Sequence, residues 1–299
     1  MTSRPESAPR HLSPRPAPSR RVARGAVCLL WLLGVNLAAP GVVAAASATA
    51  RPAPAVAVQT APAATADPNA SDAPATGAAA APGGNGTLRP FKADFVLEWK
   101  GINAASASLE LIRQAGASYT YVSKNNARGV FRAAFPGELT QTSRLLVEAG
   151  QVRPLSYRGE DGSPDSRRDI SLDFDWERRR VTGTAETRPV DLPLQSGIQD
   201  IMSVQIALIV DLLEGRKPTT YTLVDKDRIK EYLYSGDGSA RIDTALGPLD
   251  TVIWSSRRPG SDRVTRVWYA PSLGYSPVKA ERRDGDKLEW SMRLAALSR

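Results

Sequence analysis

Phe91–Lys100 reads FKADFVLEWK, and this stretch decides the fold. Phe91, Ala93, Phe95, Leu97 and Trp99 alternate with Lys92, Asp94, Val96, Glu98 and Lys100. Successive side chains of a strand point to opposite faces, so the segment is a strand with one buried and one wet face. The same period runs outward along the chain. It recurs in Ala105, Ala107, Leu109 and Leu111, in Ile170, Leu172, Phe174 and Trp176, and in Leu288, Trp290, Met292 and Leu294. Looser strands are expected over 117–126, 138–148, 152–160, 179–187, 219–227, 229–236, 239–245, 249–258, 263–270 and 276–284. Turn chemistry falls between them, at Gln114-Ala115-Gly116, Glu160-Asp161-Gly162, Gly236-Asp237-Gly238, Arg258-Pro259-Gly260 and Asp284-Gly285-Asp286. The expected fold is all-β and mainly antiparallel, a strongly curved sheet or β-barrel-like meander of about 12–14 strands. Twist makes so many strands curl, close into a barrel or split into two layers.

One segment departs from that period. Ser196–Leu213 (SGIQDIMSVQIALIVDLL) carries Ile198, Ile201, Met202, Ile209, Leu212 and Leu213 at helical spacing, and predicts a single apolar α-helix near 198–213. Ser196 with Gln199 reads as a capping box, and Gly215 as the stop. Ile206, Leu208 and Val210 widen the apolar stripe, so the helix is well buried. Two roles stay open: a plug for the curved sheet, or one wall of a ligand cavity.

The N-terminus is a different material. Residues 1–24 hold six arginines against Glu6, an apolar run follows at Val27–Leu37, and small residues occupy 43–48. Basic start, short apolar centre and an A-x-A-like site make residues 1–45 a signal peptide, so the protein is expected to be exported to the periplasm. The alternative is an uncleaved inner-membrane anchor over residues 25–48, with the domain facing the periplasm. Residues 46–88 are rich in alanine and proline with few bulky apolar side chains, which reads as a disordered linker. Residues 89–299 then form a single β-rich domain. The only histidine, His11, and the only cysteine, Cys28, lie in or before the signal. The exported domain therefore lacks imidazole bases, thiolates and disulfides. Losing residues 1–45 also removes six arginines and one glutamate, so the formal +8 falls to +3. That balance argues against a nucleic-acid partner.

Motifs of catalysis and phosphate binding are missing: no G-x-S-x-G, G-x-x-x-x-G-K, G-x-G-x-x-G or H-E-x-x-H occurs. Asp173, Asp175 and Glu177 alternate along one strand without a calcium-loop glycine, and read as a solvated face. Asp225 and Asp227, flanked by Lys226 and Arg228, read as a neutralised surface edge. Arg167-Arg168, Arg178–Arg180, Arg257-Arg258 and Arg282-Arg283 sit at expected strand ends or turns. They serve edge protection or a peripheral membrane contact. The aromatic and apolar side chains expected to face inward, Phe95, Trp99, Trp290, Met202 and Ile209, are the ligand-binding candidates. No catalytic, cofactor or metal residue is assigned.

The chain carries F-x-A-x-F-x-L-x-W-K-G-I at Phe91–Ile102, A-S-A-S-L-E-L, P-G-E-L-T-Q-T-S-R at Pro136–Arg144 and V-R-P-L-x-Y at Val152–Tyr157. Further on come Q-D-I-M-S with Asp200 and Ser203 at the helix start, L-G-P-L-D-T, and W-Y-A-P-x-L-G-Y-x-P-V ending at Val278. With these pieces the order of elements resembles a bacterial family of exported proteins, domain of unknown function 3108. The resemblance implies an envelope-located antiparallel β domain and no assigned activity. The expected function is a non-enzymatic periplasmic protein of the cell envelope, taking an apolar or lipid-like ligand in its curved sheet. Two alternatives stand beside it. One is a structural or interaction protein with a solid core and an envelope protein partner. The other is a histidine-independent hydrolase acting on envelope glycans through two carboxylates.

Overall fold

A computed structural model describes residues 86–299 except Ala134 and Pro164. The expected signal peptide, anchor and nearly all of the expected linker lie outside the described residues. Fifteen strands form one sheet in the order β8-β7-β6-β5-β4-β3-β2-β1-β15-β14-β13-β12-β11-β10-β9. The strands are β1 (Phe91–Trp99), β2 (Ile102–Arg113), β3 (Ser118–Ala127), β4 (Leu139–Glu148), β5 (Gln151–Glu160), β6 (Ile170–Asp175), β7 (Arg180–Ala185), β8 (Arg188–Pro193) and β9 (Gln199–Asp200). After helix α1 (Ser203–Leu213) come β10 (Thr220–Asp225), β11 (Arg228–Thr244), β12 (Gly247–Arg257), β13 (Arg263–Ala270), β14 (Ser276–Asp284) and β15 (Lys287–Ser298). Every pair is antiparallel except β9–β10.

The fold is therefore the expected antiparallel meander, wound from both ends toward the middle. The curl follows from chain connectivity. β8 and β9 are the two edges of the sheet, yet only residues 194–198 separate them. A flat sheet would hold its outermost strands about 67 Å apart, at roughly 4.8 Å per strand spacing. The linking chain reaches at most about 20 Å. The sheet has to bend until its edges approach. Two ion pairs tie them: Lys226 Nζ lies 2.5 Å from Glu186 Oε1, and Arg188 3.2 Å from Asp227. Both join the β7–β8 turn region to the β10–β11 turn.

Three expectations need correction. β8 (RPVDLP) was not expected, because Pro189 and Pro193 interrupt its pattern. Proline lacks the ladder donor and is tolerated at a sheet edge, which is where β8 lies. The strands expected at 229–236 and 239–245 are one strand, β11. Gly236-Asp237-Gly238 is a bulge inside it rather than a turn, shown by the register shift between Gly236 and Ser239. The helix begins at Ser203 rather than near 198, and Gln199 and Asp200 pair instead with β10. The Ser196–Gln199 capping box does not form, since the Gln199 amide donates to the carbonyls of Val152 and Gly197. The far end is as expected: Gly215 is left-handed (φ 72°), and its N–H reaches the Leu212 carbonyl.

Of the eleven helical residues, only Gln205 and Asp211 are not buried. A helix apolar all round belongs in an interior, and α1 lies on the concave face of β4 and β5. The inner rows of β1, β2 and β15 supply the apolar packing, with Ala93, Phe95, Leu97, Leu109, Leu111 and Met292 almost fully buried.

Candidate functional site

The inner face is not uniformly apolar. Ser123 and Asn125 on β3, Gln141 and Ser143 on β4, and Tyr157 on β5 are all at most 2% exposed. Buried polar groups need partners: the helix start supplies one for Ser143, while Asn125 donates to Ser123 and Gln141 to Tyr157. Ser143 Oγ donates to Asp200 Oδ2 at 2.6 Å. Asp200 Oδ1 accepts from the backbone N–H groups of Met202 (2.7 Å) and Ser203 (2.8 Å). Ser203 Oγ accepts in return from the Asp200 N–H. One turn on, the Tyr121 hydroxyl donates to Gln205 Oε1 at 3.0 Å. Gln141 donates to the Tyr157 hydroxyl. Burial raises the Asp200 carboxyl above its ordinary value, against the hydrogen bonds from Ser143, Ser203 and Met202. Burial and the neighbouring Asp200 charge push the Tyr157 hydroxyl up.

Asp225 was expected on a surface edge and is fully buried instead. It closes β10, whose last three residues are all buried, while Asp227 in the following turn reaches Arg188 across the seam. Asp225 Oδ2 accepts from Lys230 Nζ at 2.6 Å and from the Tyr232 hydroxyl at 3.3 Å. Burial raises its carboxyl as well. Arg282, expected at a strand end, also turns inward, over the Trp290 ring.

Two half-open grooves flank the chain that leaves α1. The larger, about 530 Å³, is lined by Lys217, Pro218 and Thr219, by Tyr234–Gly236, Gly238 and Ser239 of β11, and by Val252, Ile253 and Trp254 of β12. The β11 bulge opens it. Gly236 carries no side chain beneath the Trp254 indole, where an added Cβ would stand 3.6 Å from the ring. Asp237, at the bulge, accepts from Ser235, Ser255 and Arg266 and fixes its shape. The smaller groove, about 370 Å³, lies between the β4–β5 turn, Trp176, residues 196–199 and the Asp211 side of α1. Tyr221 lines the smaller groove and Tyr234 the larger, and the two rings meet edge to face at 4.8 Å.

The sequence-based candidates lie elsewhere. Phe95, Trp290, Met202 and Ile209 are at most 2% exposed. Trp99 is half-buried, opposite Trp290 on the neighbouring strand and edge-on to Phe131. None of the five lines either groove. Asp200 and Ser203, noted only as a helix-start motif, are brought together as the anchor of the helix. Among the described residues, no cluster of three or more acidic, histidine or cysteine side chains is arranged to hold a metal ion.

A family model described as protein of unknown function (DUF3108) matches residues 94–286. The chain belongs to this family. The match runs from β1 to the turn before β15 and includes the helix anchor and both grooves. A search of curated proteins finds no match. Among solved structures, a β-barrel-like protein of domain of unknown function DUF1849 from Brucella abortus is 14% identical, with a TM-score of 0.46 over 70% of this chain and 97% of its own. A Bacteroides fragilis protein described as exported, with a YmcC-like fold, is 10% identical with a TM-score of 0.33 over 70% and 95%. A Parabacteroides distasonis protein described as a lipoprotein is 9% identical with a TM-score of 0.29 over 71% and 96%.

Proposed function

We propose that this DUF3108 protein is a non-enzymatic module of the cell envelope that binds a lipid-like ligand in the groove between β11 and β12. The observation that carries the reading is the groove itself. Its volume lies within the range of small-molecule sites, roughly 300–1,000 Å³. Tyr234, Val252, Ile253 and Trp254 make it largely apolar. Lys217 stands exposed at its rim, outside every ion pair among the described residues, where it suits an anionic head on an acyl chain. Export rests on the signal-like residues 1–45, and among the described residues no helix is long and apolar enough to cross a membrane. Asp200 fits an anchoring role better than acid catalysis, being fully buried and accepting three hydrogen bonds.

A dansyl-labelled undecanoic acid is the probe. It binds the purified protein saturably, with energy transfer from tryptophan to the dansyl group. Val252→Phe fills the groove from a half-buried position and abolishes that binding while the far-ultraviolet circular dichroism stays unchanged. Absence of saturable binding, or equal binding by Val252→Phe, overturns the reading. The second reading, an interaction protein with a solid core, draws on the helix-filled interior and the burial of Phe95, Met202 and Ile209.

A further inference from the structure

We infer that the smaller groove is a second and separate site, which takes a neutral, hydroxyl-rich ligand of the sugar class. The first observation is an acceptor left without a donor. Gln199 is 3% exposed, lines the groove, and its Oε1 has no hydrogen-bond partner. Its orientation is fixed, because Nε2 donates to the carbonyls of Val152 (2.8 Å) and Gly197 (3.4 Å). Exchanging the two atoms would set oxygen against oxygen. An unpaired buried acceptor is unfavourable, and a ligand hydroxyl or N–H that enters from the groove and parts the side chains covering it would satisfy it.

The remaining walls narrow the chemistry. The Trp176 indole N–H is already bound to the Pro154 carbonyl at 2.7 Å, so the ring offers apolar surface rather than a donor. Arg153 lies 5.9 Å from that ring. Asp211 is engaged by Arg216 and by the Tyr221 hydroxyl, and Arg216 also donates to the Gly150 carbonyl. With both arginines beside the groove and the carboxylate neutralised, a cationic ligand is disfavoured. An anion would meet the bare Gln199 oxygen. A neutral polyol meets neither obstacle: its hydroxyls donate to Gln199 and accept from arginine, and its C–H face lies on an aromatic ring. This groove and the apolar one are lined by different residues, so either reading can fail alone.

The test uses the full exported chain, with chitotriose and maltotriose as probes and triglycine as the amide control. Saturation-transfer nuclear magnetic resonance detects contact, and titration of the Gln199 side-chain amide resonances places it. Both resonances are expected to move with at least one sugar and to stay still with triglycine. Ser196→Trp fills the groove from an exposed position without removing a described hydrogen bond. It is expected to weaken sugar binding at least about tenfold, while leaving the dansyl-fatty-acid titration unchanged. Gln199→Leu gives a similar loss, and Ser196→Trp keeps the test decisive should that variant unfold. Three results overturn the inference: neither sugar binding below about 10 mM, triglycine binding in their place, or sugar binding that Ser196→Trp does not change.

Discussion

The inner faces of β3–β5 and of β11–β12 belong to one sheet and do opposite things with their side chains. The first is polar, with Ser123, Asn125, Gln141, Ser143 and Tyr157 buried on it. The second presents Tyr234, Val252 and Trp254. The polar face is the closed one, because α1 packs on it and its groups, Asn125 Oδ1 apart, are bonded to the start of α1 or to each other. The apolar face is the one left half open. Hydrogen bonds are directional, so the polar patch fixes where α1 begins and which way it runs. Apolar packing could not set that register so narrowly. A lining held only by non-directional contact can accept a guest.

The sharpest break of this contrast is at Asp200. Asp200→Ala strands Ser143 Oγ and two backbone N–H groups inside the sheet, and is expected to lower unfolding free energy by about 3–5 kcal/mol. Asp200→Asn keeps an acceptor for those N–H groups and loses about 1–2 kcal/mol. Urea denaturation followed by tryptophan fluorescence measures both. Equal, small losses would show that α1 is placed by its apolar surface. The pH dependence has a definite sign. Burial raises the Asp200 carboxyl in the folded state, so the native protein holds its proton to higher pH than the unfolded chain does. The destabilisation is complete above the raised folded value. It is relieved as pH falls from there toward the ordinary carboxylate range. Wild type therefore gains stability from Asp200 on acidification through that window. Asp200→Asn lacks that gain, while Asp225, raised by burial too, still contributes its own.

A glycine beneath an aromatic ring occurs on both faces and compares them directly. On β5, a Cβ added at Gly159 would meet the Tyr157 hydroxyl at 2.7 Å, and Gln141 fixes that hydroxyl. On β11, a Cβ at Gly236 meets only Trp254, at an ordinary 3.6 Å. Gly159→Ala is expected to lose about 1–3 kcal/mol through the displaced tyrosine. Gly236→Ala is expected to be neutral or stabilising by up to about 1 kcal/mol, because it restricts the unfolded chain. Similar losses at both positions would show that the bulge is packed as tightly as the polar face.

How much of this was legible follows from the range of each signal. Strand alternation is local, so β1, β2, β6 and β15 could be read from their own residues. The curl was legible in outline from strand number. Its cause, that β8 and β9 are opposite edges joined by a short link, depends on topology. Prolines hid β8. Asp200 and Ser203 make the local reciprocal capping bonds expected four residues earlier, at Ser196 and Gln199, and Asp200 does so from a strand that pairs with β10. Asp225 looked neutral beside Lys226 and Arg228, and only strand pairing shows that it faces inward. The inward positions of Phe95, Trp290, Met202 and Ile209 were legible. The grooves were not, because each draws its lining from several elements, and one depends on a bulge written as a turn.

The smallest effect is expected at the seam, where the two faces meet through side chains instead of backbone ladders. Glu186 and Thr187 in the β7–β8 turn, and Lys226 in the β10–β11 turn, all have positive φ. That conformation reverses each chain in the fewest residues and brings the turn tips together. The Lys226 side chain is 14% exposed and Arg188 52%, so the two pairs should differ. Exposed pairs contribute about 0–1 kcal/mol and are screened by salt. Lys226→Met is expected to lose about 1 kcal/mol in urea denaturation, and Arg188→Ala less than about 0.5 kcal/mol. In 1 M salt, where the screening length is about 3 Å, the Arg188 effect should vanish and part of the Lys226 effect persist. If neither variant moves the midpoint, the edges are held by the 194–198 link, α1 and Asp200 without help from these pairs. The polar face would then both place the helix and help keep the sheet curled.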